Sequence, residues 1–453
     1  MDAIARKTAN RRDFLKAAGA AAGLTILPRH ILGGPGLTAP SDRLRIAGIG
    51  VGGMGAANLA NMETEDIVAL CDVDEVYAAP TFKKYPAAKV YKDFRVMLDK
   101  QKDIDAVVIA TPDHTHAVIA VAAMRAGKHV YCQKPLTHTI REAREVARVA
   151  RETKVITQMG NQGRSGVGAR LIEAWMREGA IGRIREVHAW CSMTYYPWGH
   201  ETWSSILARK PEPKTTPRVP PNLDWDLWLG PEAWRDYHPC YHPASWRAWW
   251  DFGCGMMGDR GVHTLGPVCW ALKLVHPKSV SASVTDLNED THPIAAIVTY
   301  DFGAREGMPP VKLVWYEGLE PPRPDDLEDG RKLPAEGGLL LCGEKGTIMA
   351  GVYGDSPQLL PYSRMKDIQK PDLESLRVPQ SHEQDWLLAI KEGRKAGSDF
   401  SESGPLTEFV LLGNVAKKRP AKLYWDPGTM TITNDREANQ LLSRPCRPGW
   451  ELS

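Results

Sequence analysis

Three glycines at the junction of a strand and a helix constrain this chain more than any other feature. Residues 44–49 are a short apolar run of strand length, Gly50, Gly52 and Gly55 follow it, and residues 54–62 have helical character. A G-x-G-x-x-G pattern in this context indicates a buried parallel strand that turns sharply into a helix. The N-terminal part is therefore predicted to be α/β, with a doubly wound parallel sheet.

The periodicity that follows supports a parallel sheet covered by helices on both faces. Near-continuous apolar runs at residues 67–72, 104–110, 129–132 and 155–158 are predicted strands, and residues 116–126 and 140–152 are predicted helices. Apolar strands that alternate with helices are typical of such sheets. We expect a Rossmann domain at residues 41–160.

The glycine turn predicts a dinucleotide site. Gly50 permits the tight turn, Gly52 lets backbone N–H groups approach a pyrophosphate, and Gly55 lets the helix lie close to the strand. Gly53 and Met54 complete the predicted phosphate-facing surface. The positive end of the helix dipole adds to the attraction for phosphate.

An acid at the end of the second strand predicts which nicotinamide cofactor binds. Asp72 lies 22 residues after Gly50, where a carboxylate accepts hydrogen bonds from the ribose hydroxyls and repels a 2′-phosphate. We expect NAD in preference to NADP. Asp74 is the alternative acid, and a solvated carboxylate otherwise.

The composition changes after residue 160. Residues 190–250 hold nine of the 15 tryptophans, and strand-like runs with a period of two occur at 279–284, 295–300, 311–316 and 339–342. This pattern predicts a second α/β domain at residues 161–453, with a large, open, mostly antiparallel sheet that has one solvated face. Helices are expected at 382–391 and 406–417, and a mobile insertion at 319–336.

Two motifs resemble the signature segments of the Gfo/Idh/MocA family of sugar and inositol dehydrogenases. They are Ala110-Thr-Pro-Asp-His-Thr-His116 and Gly127-Lys-His-Val-Tyr-Cys-Gln-Lys-Pro-Leu136, and the resemblance runs from about Leu44 to the end. It implies a Rossmann domain and an α/β domain whose open sheet holds a homo-oligomer, a dimer or tetramer, together. The cofactor-side residues implied by these motifs are Thr111, Pro112, His114, His116, Gln133 and Lys134. Gln133 replaces the usual glutamate of Glu-Lys-Pro.

The resemblance extends to Asp259 and His263, which family members carry on a helix that faces the nicotinamide. Residues four apart share one helix face. Histidine is suited to accept a hydroxyl proton, and the ammonium of Lys134 to stabilise a developing alkoxide. We expect His263 as acid/base, Lys134 as its partner and Asp259 as the residue that positions the sugar. Without the resemblance, local pairing would explain Asp259 and His263.

An aromatic segment at 237–251 predicts a carbohydrate cleft, because sugar C–H faces stack on aromatic rings while polar groups bind the hydroxyls. The expected substrate residues are Tyr241, His242, Arg247, Trp250, Asn161 and Gln162. Packing in the core is the alternative for each tryptophan. His238, Cys240 and His242 are loosely spaced and lack a metal-binding frame, so no metal is predicted.

The first forty residues resemble a twin-arginine export signal: Arg11 and Arg12 precede the weakly apolar residues 17–24. Export would place the protein in the periplasm, and no cysteine precedes Cys71, so no lipid anchor is expected. An ordinary basic amphipathic N-terminus is the alternative. The eight cysteines are scattered, and free buried thiols are favoured over disulfides.

The charge balance gives no indication of a nucleic-acid partner. The formal net charge is +2; residues 1–40 hold six Lys/Arg and two Asp, a balance of +4, so the rest carries 2 − 4 = −2. The expected partner is a small carbohydrate.

The predicted function is hydride transfer between a secondary hydroxyl of a sugar or cyclitol and a tightly bound nicotinamide cofactor. Because the periplasm lacks a supply of free NAD, an exported enzyme would carry its cofactor with it and restore it in place. The alternative is an NAD-dependent glycoside hydrolase that oxidises C3 transiently, eliminates the aglycone with Tyr241 or His242 as base, and then reduces the sugar again. A non-catalytic sugar-binding protein is the alternative from another class.

Overall fold

Six parallel strands form the first sheet of the computed structural model, which describes residues 42–194, 217–368, 371–372 and 375–452. The strands are β1 (Arg45–Ile49), β2 (Asp66–Cys71), β3 (Lys89–Tyr91), β4 (Ala106–Ile109), β5 (His129–Cys132) and β6 (Thr157–Met159). Their order, β3-β2-β1-β4-β5-β6, is that of a Rossmann fold. The predicted export segment, with Arg11 and Arg12, lies outside the described residues.

Five helices connect these strands; the sequence predicted the first and the last two, and it missed the second and third. They are α1 (Gly53–Ala60), α2 (Ala79–Lys84), α3 (Phe94–Lys100), α4 (His116–Arg125) and α5 (Ile140–Thr153). The α5 helix begins with a capping box between Thr139 and Glu142. The order in which the chain adds strands reverses between β1 and β4. At this point the carboxyl ends of the strands leave room for a ligand.

Nine strands form a second sheet, of which only four were predicted. The strands are β7 (Ile184–Cys191), β8 (Ser279–Val284), β9 (Ala296–Phe302), β10 (Val311–Glu317), β11 (Gly337–Gly343), β12 (Gly346–Gly351), β13 (Gln358–Leu360), β14 (Leu423–Asp426) and β15 (Thr431–Ile432), in the order β13-β12-β11-β7-β10-β9-β8-β14-β15. Seven neighbouring pairs are antiparallel. The β7–β10 pair is parallel. The prediction of a large, mostly antiparallel sheet is confirmed.

The helices Val262–Leu272 and Phe400–Lys418 lie against the second sheet. The remaining helices are α6 (Val167–Arg177), α7 (Trp225–Leu229), α8 (Val262–Leu272), α9 (His382–Glu392) and α10 (Phe400–Lys418). The α10 helix begins six residues before its predicted start, because Asp399 caps it by accepting a hydrogen bond from the N–H of Ser401. Lys417 of α10 and Glu317 of β10 form a fully buried ion pair at 2.9 Å.

The other face of this sheet is covered in part, contrary to the expectation of a solvated face. Residues 319–336 contain no helix or strand, but Leu327 is buried against Trp190 and Tyr316. The predicted mobile insertion therefore lies on the sheet, because the apolar side chains on this face are removed from water by contact with it.

Candidate active site

A cavity of about 730 Å³ lies at the carboxyl edge of the parallel sheet. The glycine turn, Asp72, Thr111, Pro112, Gln133 and Lys134 line it from the Rossmann domain. Asp259 and His263 line the same cavity. The residues predicted for the cofactor and for the chemistry therefore meet in one space, which we call the cleft.

The glycine turn has the geometry that its sequence requires. Gly50 adopts a φ of +75°, and its N–H donates to the carbonyl oxygen of Cys71 at 2.9 Å. A Cβ at Gly55 would overlap the carbonyl oxygen of Gly50, so the helix can approach the turn only without a side chain there. A Cβ at Gly52 would overlap the ring of Tyr77, which lies against the turn.

Asp72 faces the cleft and accepts hydrogen bonds from the turn. Its carboxylate receives the N–H groups of Val51 at 2.8 Å and Gly52 at 3.4 Å. Burial raises the pKa of Asp72, and these hydrogen bonds counteract part of the effect. The carboxylate lies where the acid of a Rossmann fold meets the ribose.

Asp74, the alternative acid, is already engaged and does not line the cleft. It accepts hydrogen bonds from the backbone N–H of Tyr77 at 3.0 Å, from Asn222 Nδ2 at 2.7 Å and from His242 Nε2 at 2.8 Å. Burial alone would raise its pKa, but these hydrogen bonds lower the pKa below the usual aspartate value. Asp74 therefore organises the protein around the cleft, whereas Asp72 is placed for a ligand.

Lys134, Asp259 and His263 form a second polar group in the cleft. The Lys134 ammonium makes an ion pair with the Asp259 carboxylate, and the two side chains are only 13% and 11% exposed. Asp259 lies in a π-helical turn, Met257–Gly261, that leads directly into α8 and its His263. Such widened turns are frequent at functional sites.

His263 is buried and neutral. Burial lowers the pKa of its imidazole well below the usual value, and the charge of Lys134 lowers the pKa further. Its Nδ1 has no hydrogen-bond partner among the described residues. A neutral imidazole keeps one ring nitrogen with a free lone pair, which can accept a hydrogen bond or a proton from a ligand.

The sequence analysis missed several cleft residues, among them Arg260, Tyr353 and Asp113. Arg260 Nη1 donates to the hydroxyl of Tyr353 at 3.1 Å, and the Tyr353 ring lies 4.7 Å from that of His263. Asp113 accepts the N–H of Cys254 at 2.9 Å, and burial raises its pKa to about 7. Arg260 and Asp113 lie beside predicted residues, but Tyr353 has no sequence signal because the turn after β12 is remote from every motif.

The two histidines of the first motif do not line the cleft. His114 is fully buried, and its Nε2 lies 2.9 Å from the carbonyl oxygen of Trp228. His116 is also buried, and its ring nitrogens lie 2.8 Å from the Pro135 oxygen and 2.9 Å from the Thr111 oxygen. The prediction that they contact the cofactor does not agree with this geometry, because backbone carbonyl oxygens lie against both rings outside the cleft.

Only some of the predicted substrate residues line the cleft. His242, Arg247 and Gln162 line the cleft, whereas Tyr241, Trp250 and Asn161 do not. The Tyr241 ring is buried at 4.8 Å from that of Trp249, and Trp250 Nε1 donates to the Asn288 oxygen at 3.2 Å. The core-packing alternative therefore describes these two rings better than a sugar-stacking surface.

Cys71 lines the cleft, but the cysteines form no disulfide there. All eight cysteines are free thiols, and six of them are buried. Within the described ranges, no group of three His, Cys, Asp or Glu side chains could hold a metal ion. His238 accepts the N–H of Cys240, and His242 binds Asp74. No helix of the part that the structure describes is long and apolar enough to cross a membrane.

The cleft fits a dinucleotide. The glycine turn lines the cleft without side chains at Gly50, Gly52 and Gly53, and Asp72 is placed for a ribose. The cations of Lys134 and Arg247 lie in the same space. The donor set is suited to an anionic, hydroxyl-rich ligand.

Family models match both parts of the chain. The model of the Gfo/Idh/MocA oxidoreductase family, NAD-binding Rossmann fold, matches residues 44–161, and that of the family's C-terminal alpha/beta domain matches residues 172–305. Together these matches cover more than half of the sequence.

Curated relatives match over shorter stretches. Levoglucosan dehydrogenase of Pseudarthrobacter phenanthrenivorans is 33% identical over 115 residues, which are 25% of this chain and 29% of the relative. A glycosyl hydrolase family 109 protein of Shewanella pealeana is 29% identical over 205 residues, 39% of this chain and 44% of the relative. The chain thus spans less than half the length of each.

A solved structure shares the fold. The WlbA dehydrogenase from Bordetella pertussis, in complex with NADH and UDP-GlcNAcA, superposes with a TM-score of 0.60 at 17% identity. The superposition covers 85% of this chain and 98% of the other.

Proposed function

Because this chain belongs to the Gfo/Idh/MocA oxidoreductase family, we propose that it transfers a hydride between a secondary hydroxyl of a sugar or cyclitol and a tightly held NAD. One observation carries the proposal: the glycine turn with Asp72 and the group of Lys134, Asp259 and His263 line one cleft. The levoglucosan dehydrogenase relative supports a carbohydrate substrate.

Three side chains of the cleft have separate roles in the oxidation of the hydroxyl. When bound, NAD supplies the hydride acceptor. His263 is neutral and accepts the hydroxyl proton, while the Lys134 ammonium stabilises the oxygen that loses it. Asp259 holds the ammonium in place through their ion pair and limits its freedom to turn away.

Replacement of the proposed base tests this assignment. His263→Ala is expected to lower kcat by roughly 10²–10⁴-fold, because the proton loses its acceptor. NADH binding, measured by fluorescence, should stay within about twofold of the unchanged protein. The matched control is His129→Ala, since His129 lies outside the cleft and its Nδ1 accepts only the N–H of Ile156. Full turnover by His263→Ala would refute the assignment.

The glycosyl hydrolase family 109 relative favours a second candidate, hydrolysis of a glycoside through transient oxidation at C3. Of the two bases suggested for it, His242 lines the cleft but Tyr241 does not. Release of the aglycone from an aryl glycoside without added NAD, and without net NADH, would support hydrolysis. Net NADH formation with a free sugar supports the dehydrogenase.

Export and assembly remain proposals that rest on the sequence. We propose that Arg11 and Arg12 direct the protein through the twin-arginine route to the periplasm, and that the second domain, 161–453, holds a homo-oligomer together. Arg11→Lys with Arg12→Lys should retain the protein in the cytosol on cell fractionation. A monomer in light scattering would refute the oligomer.

A further inference from the structure

A part of the cleft wall comes from outside the parallel sheet. Leu227, Trp228, His242, Ala244 and Arg247 line the cleft together with the glycine turn. They belong to one stretch, residues 222–247, which we call the clasp. A dinucleotide in the cleft would therefore contact the clasp as well as the turn.

The clasp is attached to one carboxylate at two points. The Asp74 carboxylate accepts hydrogen bonds from Asn222 Nδ2 at 2.7 Å and from His242 Nε2 at 2.8 Å. The backbone adds two hydrogen bonds near the first end, from Glu75 N to Asn222 O at 3.1 Å and from Asp224 N to Val73 O at 2.9 Å. The His242 and Asp74 side chains are only 11% and 10% exposed, so water competes weakly for their contact.

The attachment lies beside the glycine turn. Asp74 also accepts the backbone N–H of Tyr77, whose ring lies against Gly52 and 6.0 Å from the ring of His242. The clasp, the tyrosine and the turn thus meet at the place where a Rossmann fold binds pyrophosphate. A pyrophosphate bound at the turn would lie beside these side chains.

The clasp also brings a positive charge into the cleft. Arg247 lies over the Trp246 ring at 4.1 Å, and its Nη1 donates to the Ala244 oxygen at 3.3 Å. Arg247 lines the cleft together with Tyr77 and Asp113, and its charge opposes the rise in their pKa values that burial causes. An arginine held over an aromatic ring is well suited to bind phosphate oxygens.

We propose that the clasp retains the dinucleotide between turnovers, with the Asp74–His242 contact as its latch and Arg247 as the partner of the pyrophosphate. The inference rests on the proposed function. It assigns His242 and Arg247 to the cofactor, whereas the sequence had suggested the sugar. The cost of opening the latch then adds to the barrier for release.

The latch is tested by the rate at which the intact protein releases NADH. His242→Ala should raise the dissociation rate, followed by fluorescence after dilution into excess NAD, by about tenfold or more, since hydrogen bonds to charged groups contribute that much to a barrier. His238→Ala is the matched control: it changes another clasp histidine, which does not line the cleft and bonds only locally to Cys240. An unchanged rate in His242→Ala overturns the latch.

A second variant keeps the test decisive if His242→Ala folds poorly. Asn222→Ala removes the other side-chain contact of the clasp with Asp74 and should also speed release; a release rate equal to that of the unchanged protein counts against the latch. If the unchanged protein binds no NADH at all, the proposed function fails, and this outcome is distinct from the failure of the clasp.

Arg247 is tested by ligands that differ in phosphate. Arg247→Leu should weaken binding of ADP-ribose by about tenfold or more and leave that of adenosine unchanged, because only the former carries a pyrophosphate. Equal losses for both ligands, or no loss for either, would overturn the role of Arg247.

Discussion

Acid should destabilise this protein through a histidine of its first motif. His114 is buried between the carbonyl oxygens of Trp228 and Phe252. Burial lowers its pKa to about 3, and the positive charge of Arg444 lowers it as well. In the unfolded chain the pKa returns to about 6.5. The neutral form is therefore the one that the fold accepts.

The size of the effect follows from the two pKa values. At pH 7 the site is mostly neutral in both states, so it contributes little to the pH dependence. At pH 5 the unfolded chain binds about one proton at this site and the folded chain binds almost none. The free energy of unfolding thus falls by about 2 kcal/mol as the pH falls from 7 to 5. The loss of unfolding free energy begins near pH 6.5, the pKa in the unfolded chain, and continues to about pH 3.

Urea unfolding at pH 7 and pH 5 measures this loss, with His114→Gln for comparison. The variant lacks the titrating group, so its loss between the two pH values should be smaller by about 2 kcal/mol, whatever the substitution costs at pH 7. The other buried histidines titrate in both proteins and cancel. Coincident transitions by tryptophan fluorescence and circular dichroism establish that the free energies are comparable. Equal losses in the two proteins would refute the reasoning.

Three further substitutions test the cleft and the core. Gly55→Ala should abolish NAD binding in calorimetry, because the new Cβ would overlap the carbonyl oxygen of Gly50; retained affinity would contradict this geometry. Asp72→Ser should raise the affinity for NADP relative to NAD by about tenfold or more, since it removes the charge that repels a 2′-phosphate, and an unchanged ratio would exclude that role. Lys417→Met should lower the free energy of urea unfolding by about 3–5 kcal/mol, because Glu317 stays buried without its cation. Lys417→Met with Glu317→Leu should lose much less, and equal losses would show that the pairing is not the cause.

The Rossmann half could be predicted because its signals are local. The glycine turn, the apolar strands and Asp72 each specify their own position within a few residues, so order and contacts follow from general rules. The strands that were missed, β3, β7 and β12–β15, are short or mixed in polarity. Two of them, β7 and β14, also pair with strands far away in the chain, and the sequence of one strand does not reveal such a partner.

The site was predicted unevenly for a related reason. Residue type indicates what a side chain can do, but its neighbours decide what it does. His114 and Tyr241 have the chemistry of binding residues, yet carbonyl groups and aromatic rings bury them. Tyr353 reaches the cleft only because the second sheet brings its turn there. Such outcomes depend on tertiary contacts, which single-residue chemistry does not encode.

The position of β7 has a consequence for the order in which the two sheets form. This strand lies between β10 and β11, and its Glu186 contacts Lys312, 126 residues further along the chain. A ribosome must therefore add more than a hundred residues before the centre of the second sheet has all its partners, whereas all six strands of the first sheet are complete by Met159. Closing so long a loop is entropically costly, which makes this pairing a slow step of folding. The dinucleotide half can then serve as an early, preformed surface on which the rest of the chain assembles.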